Sequence, residues 1–152
     1  MGEVIVPDTS ILIEGRISSL LGQDKVGAVK VVIPKAALDE LQAQASKGIE
    51  SGWTGLDELI RIRKVCQEKN IEITFMGERP SIEDIQLANT GRIDSLIIEA
   101  AKGVKGTLYT ADHVQARVAE AEGVAVHLVR SKKRKRRLGF EDFFTPDTLS
   151  LQ

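Results

Sequence analysis

The chain is poor in the residues that staple or anchor a protein. It has one cysteine, Cys66, and two histidines, His113 and His127, in 152 residues. A single thiol excludes an internal disulfide and fits a reducing compartment, so the expected location is the cytoplasm. One Cys and two His are too few to close a Cys/His structural zinc site. Aromatic residues make up only 4% of the chain, so its core has to be aliphatic. No apolar run approaches the roughly 18–20 residues that span a bilayer, and no signal-peptide pattern opens the chain. A disulfide scaffold and a helical membrane protein are both excluded. No Gly-x-x-x-x-Gly-Lys-Ser/Thr loop occurs, so nothing here cradles a nucleotide phosphate in that way.

What is present is a globular composition with 42% hydrophobic residues, enough for one domain with a real core. The net charge of −1 conceals an asymmetry. Residues 1–129 hold 14 Lys+Arg against 19 Asp+Glu, residues 130–137 carry +7, and the last 15 residues carry −3. The expected organisation is a folded unit over 1–129 and a basic linker and tail over 130–152. An acidic body with a basic segment points to a polyanionic partner.

Strand-like and helix-like segments alternate, which predicts βαβ units and a doubly wound sheet of five parallel strands. Strands are expected at 3–7, 29–34, 71–75, 106–110 and 124–129, with 71–75 at a sheet edge. The helices are expected from about Ile11 to Leu21, from Pro34 to near Gly48, and from Leu56 through Cys66. Ser51 to Gly55 and Thr90 to Arg92 read as breaks. Ser81 suits a helix cap. Ile93, Leu96, Ile97, Ala100 and Ala101 make the stripe of a core-facing helix ending at Gly103, and a last helix runs from Asp112 to Glu122.

Val4-Ile5-Val6-Pro7-Asp8-Thr9-Ser10 is an apolar run that stops at an acid and two hydroxyls. Gly106-Thr107-Leu108-Tyr109-Thr110-Ala111-Asp112 does the same. An acid just past the carboxyl end of a strand lies where open α/β sheets bind ligands. Glu40 and Asp94 border apolar helical stripes. Each acid alone has an ordinary explanation. Asp8 and Asp112 fit helix caps, Asp94 suits a first helical turn, and Glu40 suits a solvated helix face. If the first and fourth strands are neighbours, the four meet in one cleft. Carboxylates so gathered repel one another unless a hard cation such as Mg²⁺ or Mn²⁺ joins them.

These pieces carry a family likeness. Over residues 3–129 the sequence resembles the PIN-domain nucleases. The likeness rests on Asp8-Thr9-Ser10, on Ile33-Pro34 with Leu38-Asp39-Glu40-Leu41, on Asp94 at a helix start, and on Thr110-Ala111-Asp112. It implies a PIN-like doubly wound parallel sheet in the order 3-2-1-4-5 with helices on both faces. It also implies a divalent-metal-dependent endonuclease acting on RNA or on single-stranded or branched nucleic acid. Asp8, Glu40, Asp94 and Asp112 would hold one or two Mg²⁺ or Mn²⁺ ions, with Thr9, Ser10 and Thr110 orienting the carboxylates. Arg92 and the run Lys132, Lys133, Arg134, Lys135, Arg136 and Arg137 are the candidates for nucleic-acid contact. Asp8 through Ile17 is similar to the PIN domains fused to ATPase and KH modules in archaea, and to bacterial PIN domains carrying a TRAM module. That branch usually has Asp where Glu14 stands, so Glu14 is given no metal role. The basic run and the apolar patch of Phe140, Phe143 and Phe144 resemble the linker to such an ATPase, and a homo-oligomer is expected. The alternative is a weakly active or non-catalytic binding or oligomerisation module of a larger ATPase.

Overall fold

The computed structural model of the protein describes residues 2–87 and 90–130. Its centre is a parallel sheet of five strands, β1 (Glu3–Pro7), β2 (Ala28–Pro34), β3 (Glu72–Met76), β4 (Thr107–Thr110) and β5 (Ala125–Leu128). The order is β3-β2-β1-β4-β5, as the family likeness implied, with β3 at an edge. Seven helices surround it among the described residues: α1 (Thr9–Glu14), α2 (Ile17–Gly22), α3 (Lys35–Ser46), α4 (Glu50–Lys69), α5 (Ile82–Gln86), α6 (Thr90–Val104) and α7 (His113–Ala121).

The central strands read as unbroken β-branched runs because both of their faces are covered. Ile5, Val6, Val31, Val32, Ile33 and Leu108 are fully buried. β1 and β4 pair in register, with Val6 opposite Leu108 and Pro7 opposite Tyr109. That register brings Asp8, which follows β1, alongside Thr110, the last residue of β4. The core is aliphatic, as the scarcity of aromatics required.

Three expectations fail. The helix foreseen from Ile11 to Leu21 is two helices. Gly15 takes a left-handed conformation (φ 70°), which ends α1 with its N–H on the Leu12 carbonyl. α2 then starts afresh, and its N-terminus is held from outside. Glu58, fully buried on α4, accepts Ser18 N–H and Ser18 Oγ, each at 2.8 Å, and Arg61 Nε at 3.1 Å. This carboxylate is buried with its partners in place.

Ser51 to Gly55 is not a break, for α4 runs straight through it from Glu50. Gly52 and Gly55 are contact residues against α3. A Cβ on Gly52 would collide with the Ala45 backbone nitrogen and lie 2.7 Å from the Leu41 carbonyl oxygen, and one on Gly55 would strike the Leu41 side chain. Trp53, on the same turn, is 57% exposed. Nor do Thr90 to Arg92 interrupt the chain; α6 begins at Thr90 and continues past Gly103 to Val104. The remaining caps follow the sequence. Ser81 and Asp84 form a reciprocal capping box at α5.

Replacing Gly52 by Ala tests the close approach. On an open helix the change would stabilise by about 1 kcal/mol through propensity. Here the new methyl meets backbone atoms, and we expect a net loss of about 1–3 kcal/mol in chemical denaturation. A gain in stability would show that α3 and α4 have room to part.

Candidate active site

The site lies at the carboxyl ends of β1 and β4. Asp8 follows β1 and is 3% exposed. Its backbone N–H donates to the Tyr109 carbonyl at 3.0 Å, extending the β1–β4 pairing by one step. Its Oδ1 accepts the Ile11 N–H (3.0 Å) and Ser10 Oγ (2.7 Å), and its Oδ2 accepts Thr110 Oγ1. Asp8 is therefore the cap of α1 and also a member of the cleft, so its two explanations are compatible. The hydroxyls continue the lock. Thr110 Oγ1 accepts the Asp112 N–H at 3.0 Å, and Ser10 Oγ accepts the Ala111 N–H at 2.9 Å.

Asp112 likewise caps α7, where its Oδ1 accepts Val114 N–H (2.8 Å) and Gln115 N–H (3.2 Å), and its side chain stands exposed. Glu40 projects from the middle of α3, half-buried, and Thr9 Oγ1 donates to its Oε1 at 2.7 Å. Asp94 is not at a helix start. α6 begins at Thr90 and its first turn holds no acid, so the helix dipole does not account for Asp94.

Sequence reasoning missed Gln115. It is 3% exposed on α7 beside Ala116 and Ala119. With its amide turned so that nitrogen meets the carboxylate, Nε2 donates to Asp94 Oδ1 at 2.9 Å and Oδ2 at 3.1 Å. A polar residue inside an otherwise small, apolar helical stripe was the available signal.

The four acids share one electrostatic neighbourhood. Burial raises the Asp8 carboxyl above its ordinary range, against the hydrogen bonds from Thr110, Ser10 and Ile11, with Asp112 adding repulsion. Burial also raises Glu40, opposed by its bond from Thr9. Asp94 is pushed up to about 7 by burial and then by repulsion from Glu40, Asp8 and Asp112. Among the described residues no three acid, imidazole or thiol side chains are closed around a single point as a metal shell would be. The donor chemistry is nevertheless all hard oxygen with excess negative charge, which suits a divalent ion of the Mg²⁺ or Mn²⁺ type and not a soft one.

The expected nucleic-acid contacts divide. Arg92 faces Glu78 Oε2 at 3.4 Å and Asp84 Oδ2 at 3.8 Å. Lys132 through Arg137 lie outside the described residues, as does the rest of the tail to residue 152, the Phe140 patch included. Among the described residues no helix is long and apolar enough to cross a membrane.

No family model matches the chain. Individual relatives do. An uncharacterized KH and PIN-domain containing protein of Methanocaldococcus jannaschii is 33% identical over 151 residues, 99% of this chain and 24% of that protein. The PIN and TRAM-domain containing protein YacL of Bacillus subtilis, also uncharacterized by its name, is 36% identical over 124 residues, 78% of this chain and 31% of its own. A solved domain of a functionally unknown Methanocaldococcus jannaschii protein superposes with a TM-score of 0.80 at 35% identity, covering 85% of this chain and 92% of that one. The chain belongs to the PIN-domain family. The PIN fold is nuclease-like, and PIN domains are generally nucleases. The Holliday junction branch migration ATPase PINA of Sulfolobus acidocaldarius is a more distant relative, 23% identical over 97% of this chain and 26% of its own. This PIN domain thus spans a quarter to a third of the length of the curated relatives it matches.

The raised Asp94 carboxyl makes a stability prediction for the protein in EDTA. A carboxyl whose folded pKa is about 7, against an ordinary 3.8, holds its proton more tightly in the folded state. Its contribution is complete below the ordinary value and is lost as pH rises through the folded one. The melting temperature should therefore fall from about pH 5 to about pH 8, and Asp94→Asn should flatten that slope and melt higher at the alkaline end. A wild-type curve parallel to the Asp94→Asn curve would remove the electrostatic coupling.

Proposed function

We propose that this PIN domain is a divalent-metal-dependent endonuclease that hydrolyses phosphodiester bonds in RNA or in single-stranded or branched nucleic acid. The observation that carries the reading is the gathering of four carboxylates from four separate segments around Asp94, which burial and then repulsion from Glu40, Asp8 and Asp112 push up to about 7. A protein holds such an assembly against its own charge where a cation or a reaction needs it.

Asp8, Asp112, Glu40 and Asp94 are the residues that would hold the metal. Bound there, one or two Mg²⁺ or Mn²⁺ ions would supply Lewis acidity at the scissile phosphate and offset the negative charge that repels the backbone. The chain's own residues do the rest. Ser10 and Thr110 hold the Asp8 oxygens in fixed directions, and Thr9 does the same for Glu40. Gln115 holds Asp94. Nucleic acid is the partner, with Arg92 and the run from Lys132 to Arg137 contacting its backbone in a salt-dependent way. The domain works in the cytoplasm, as a homo-oligomer.

A second reading has one observation behind it. The chain covers only part of its relatives, and one of them is named a branch migration ATPase. On that reading the domain is a weakly active or non-catalytic nucleic-acid-binding or oligomerisation module of a larger ATPase.

The deciding assay is cleavage of labelled single-stranded RNA and of branched DNA in Mn²⁺, in Mg²⁺ and in EDTA. Wild type should cut with metal and not in EDTA, and Asp8→Asn should not cut. Metal and nucleic acid retained without cleavage would transfer the case to the binding module. Gln115→Leu keeps the volume but frees Asp94. It should weaken Mn²⁺ binding by about 10–100-fold in calorimetry. Unchanged affinity would leave Gln115 a packing residue.

A further inference from the structure

Glu40 belongs to two features. Beyond the cleft it forms one end of a groove between α3 and the pair α5 and α6. The groove has a volume of about 210 Å³ and is lined by Glu40, Gln44, Lys47, Ile49, Ile85 and Ile93, with Ala43 also in its lining. Glu40, Ala43, Gln44 and Lys47 are spaced i, i+3, i+4, i+7, so they form one stripe about 10 Å long that runs down α3 to its C-cap, Lys47. Ile85 and Ile93 make the opposite wall. Ile49 closes the far end and is 46% exposed.

We propose that this groove is a base-binding subsite: it takes one unstacked base of a single-stranded nucleic acid, next to the phosphate held at the acidic cleft. The inference rests on the nuclease reading for its occupant, and four observations favour that occupant. The space is below the roughly 300–1,000 Å³ of pockets that enclose a whole drug-sized ligand, so it suits one flat heterocycle. Three isoleucines give it the apolar walls that a base face needs. Ser51 Oγ donates to Gln44 Oε1 at 2.7 Å, which fixes the amide and leaves its two N–H groups to read an acceptor on a base edge. Lys47 ends the stripe opposite Glu40, so a strand whose scissile phosphate lies at the acids meets a cation one step along. A paired base is stacked inside its helix and cannot enter such a groove, so the subsite selects single strands or unpaired junction bases.

The test is an abasic scan. Binding of a short single-stranded oligonucleotide, made as RNA and as DNA, is followed by fluorescence anisotropy in Ca²⁺, a hard cation that suits carboxylate oxygens. One nucleotide at a time is replaced by an abasic sugar. One position should weaken binding by about tenfold and its neighbours should not. Ala43→Phe, which puts a large ring on the groove's lining, should weaken the intact strand by the same factor and leave the strand abasic at that position unchanged. Lys47→Glu should weaken both. If Ala43→Phe does not fold, Gln44→Ala and Ile49→Ser make the same comparison. The proposal is overturned if all abasic positions bind alike, if the filled groove binds the intact strand like wild type, or if wild type binds neither strand. Failure of the nuclease reading looks different: the position dependence stands, and no strand is cut in Mg²⁺ or Mn²⁺. Cleavage with no position dependence removes the subsite alone.

Discussion

The arrangement depends on burying a carboxylate at the end of a strand. Asp8 is almost without solvent, and an unpaired charge there would cost several kcal/mol. The fold meets that demand with three donors, Ile11 N–H, Ser10 Oγ and Thr110 Oγ1. Two are hydroxyls from different strand ends, and each also accepts a backbone N–H from the segment after β4. The same few hydrogen bonds start α1, tie β1 to β4 and aim Asp112. Structural and chemical roles are therefore not separable at this site. The residue that caps the helix is the one that faces the cleft, and a cap without the acid's second oxygen would serve only half the purpose.

Glu40 and Asp94 reach the cleft by another route. They ride on helices, so their positions depend on how deeply α3 and α6 settle. For α3 that depth is set by Gly52 and Gly55 on α4, whose missing side chains admit the Leu41 and Ala45 region. Glu40 is adjacent to Leu41 in the chain, so a contact on one face of α3 fixes a carboxylate on the next.

The strands were legible because their physics is local. Runs such as Val31-Val32-Ile33 are buried on both faces and read as β wherever they occur. Asp8, Asp112 and the hydroxyls beside them were legible for a related reason, since strand ends in parallel sheets are where side chains escape the core. The order of the strands came from family likeness and not from any local feature. Glycine misled in both directions. Gly15 stops a helix that its neighbours favour, whereas Gly52 and Gly55 mark no stop because a distant helix occupies the space they leave. Gln115 and Glu58 went unnoticed since the partner that justifies each, Asp94 or Ser18, lies far off in sequence. The break in its apolar stripe marks Gln115 as unusual but does not say which group it holds.

The two banks of the groove beside Glu40 are built differently. On one side α3 is clamped to α4, backbone against backbone at Gly52 and against the Leu41 side chain at Gly55. On the other, α5 is five residues long and buries none of them. Sequence drift among descendants of this domain should therefore collect on the α5 bank. New preferences would arise there by ordinary substitution, while the bank that bears the carboxylate stays put.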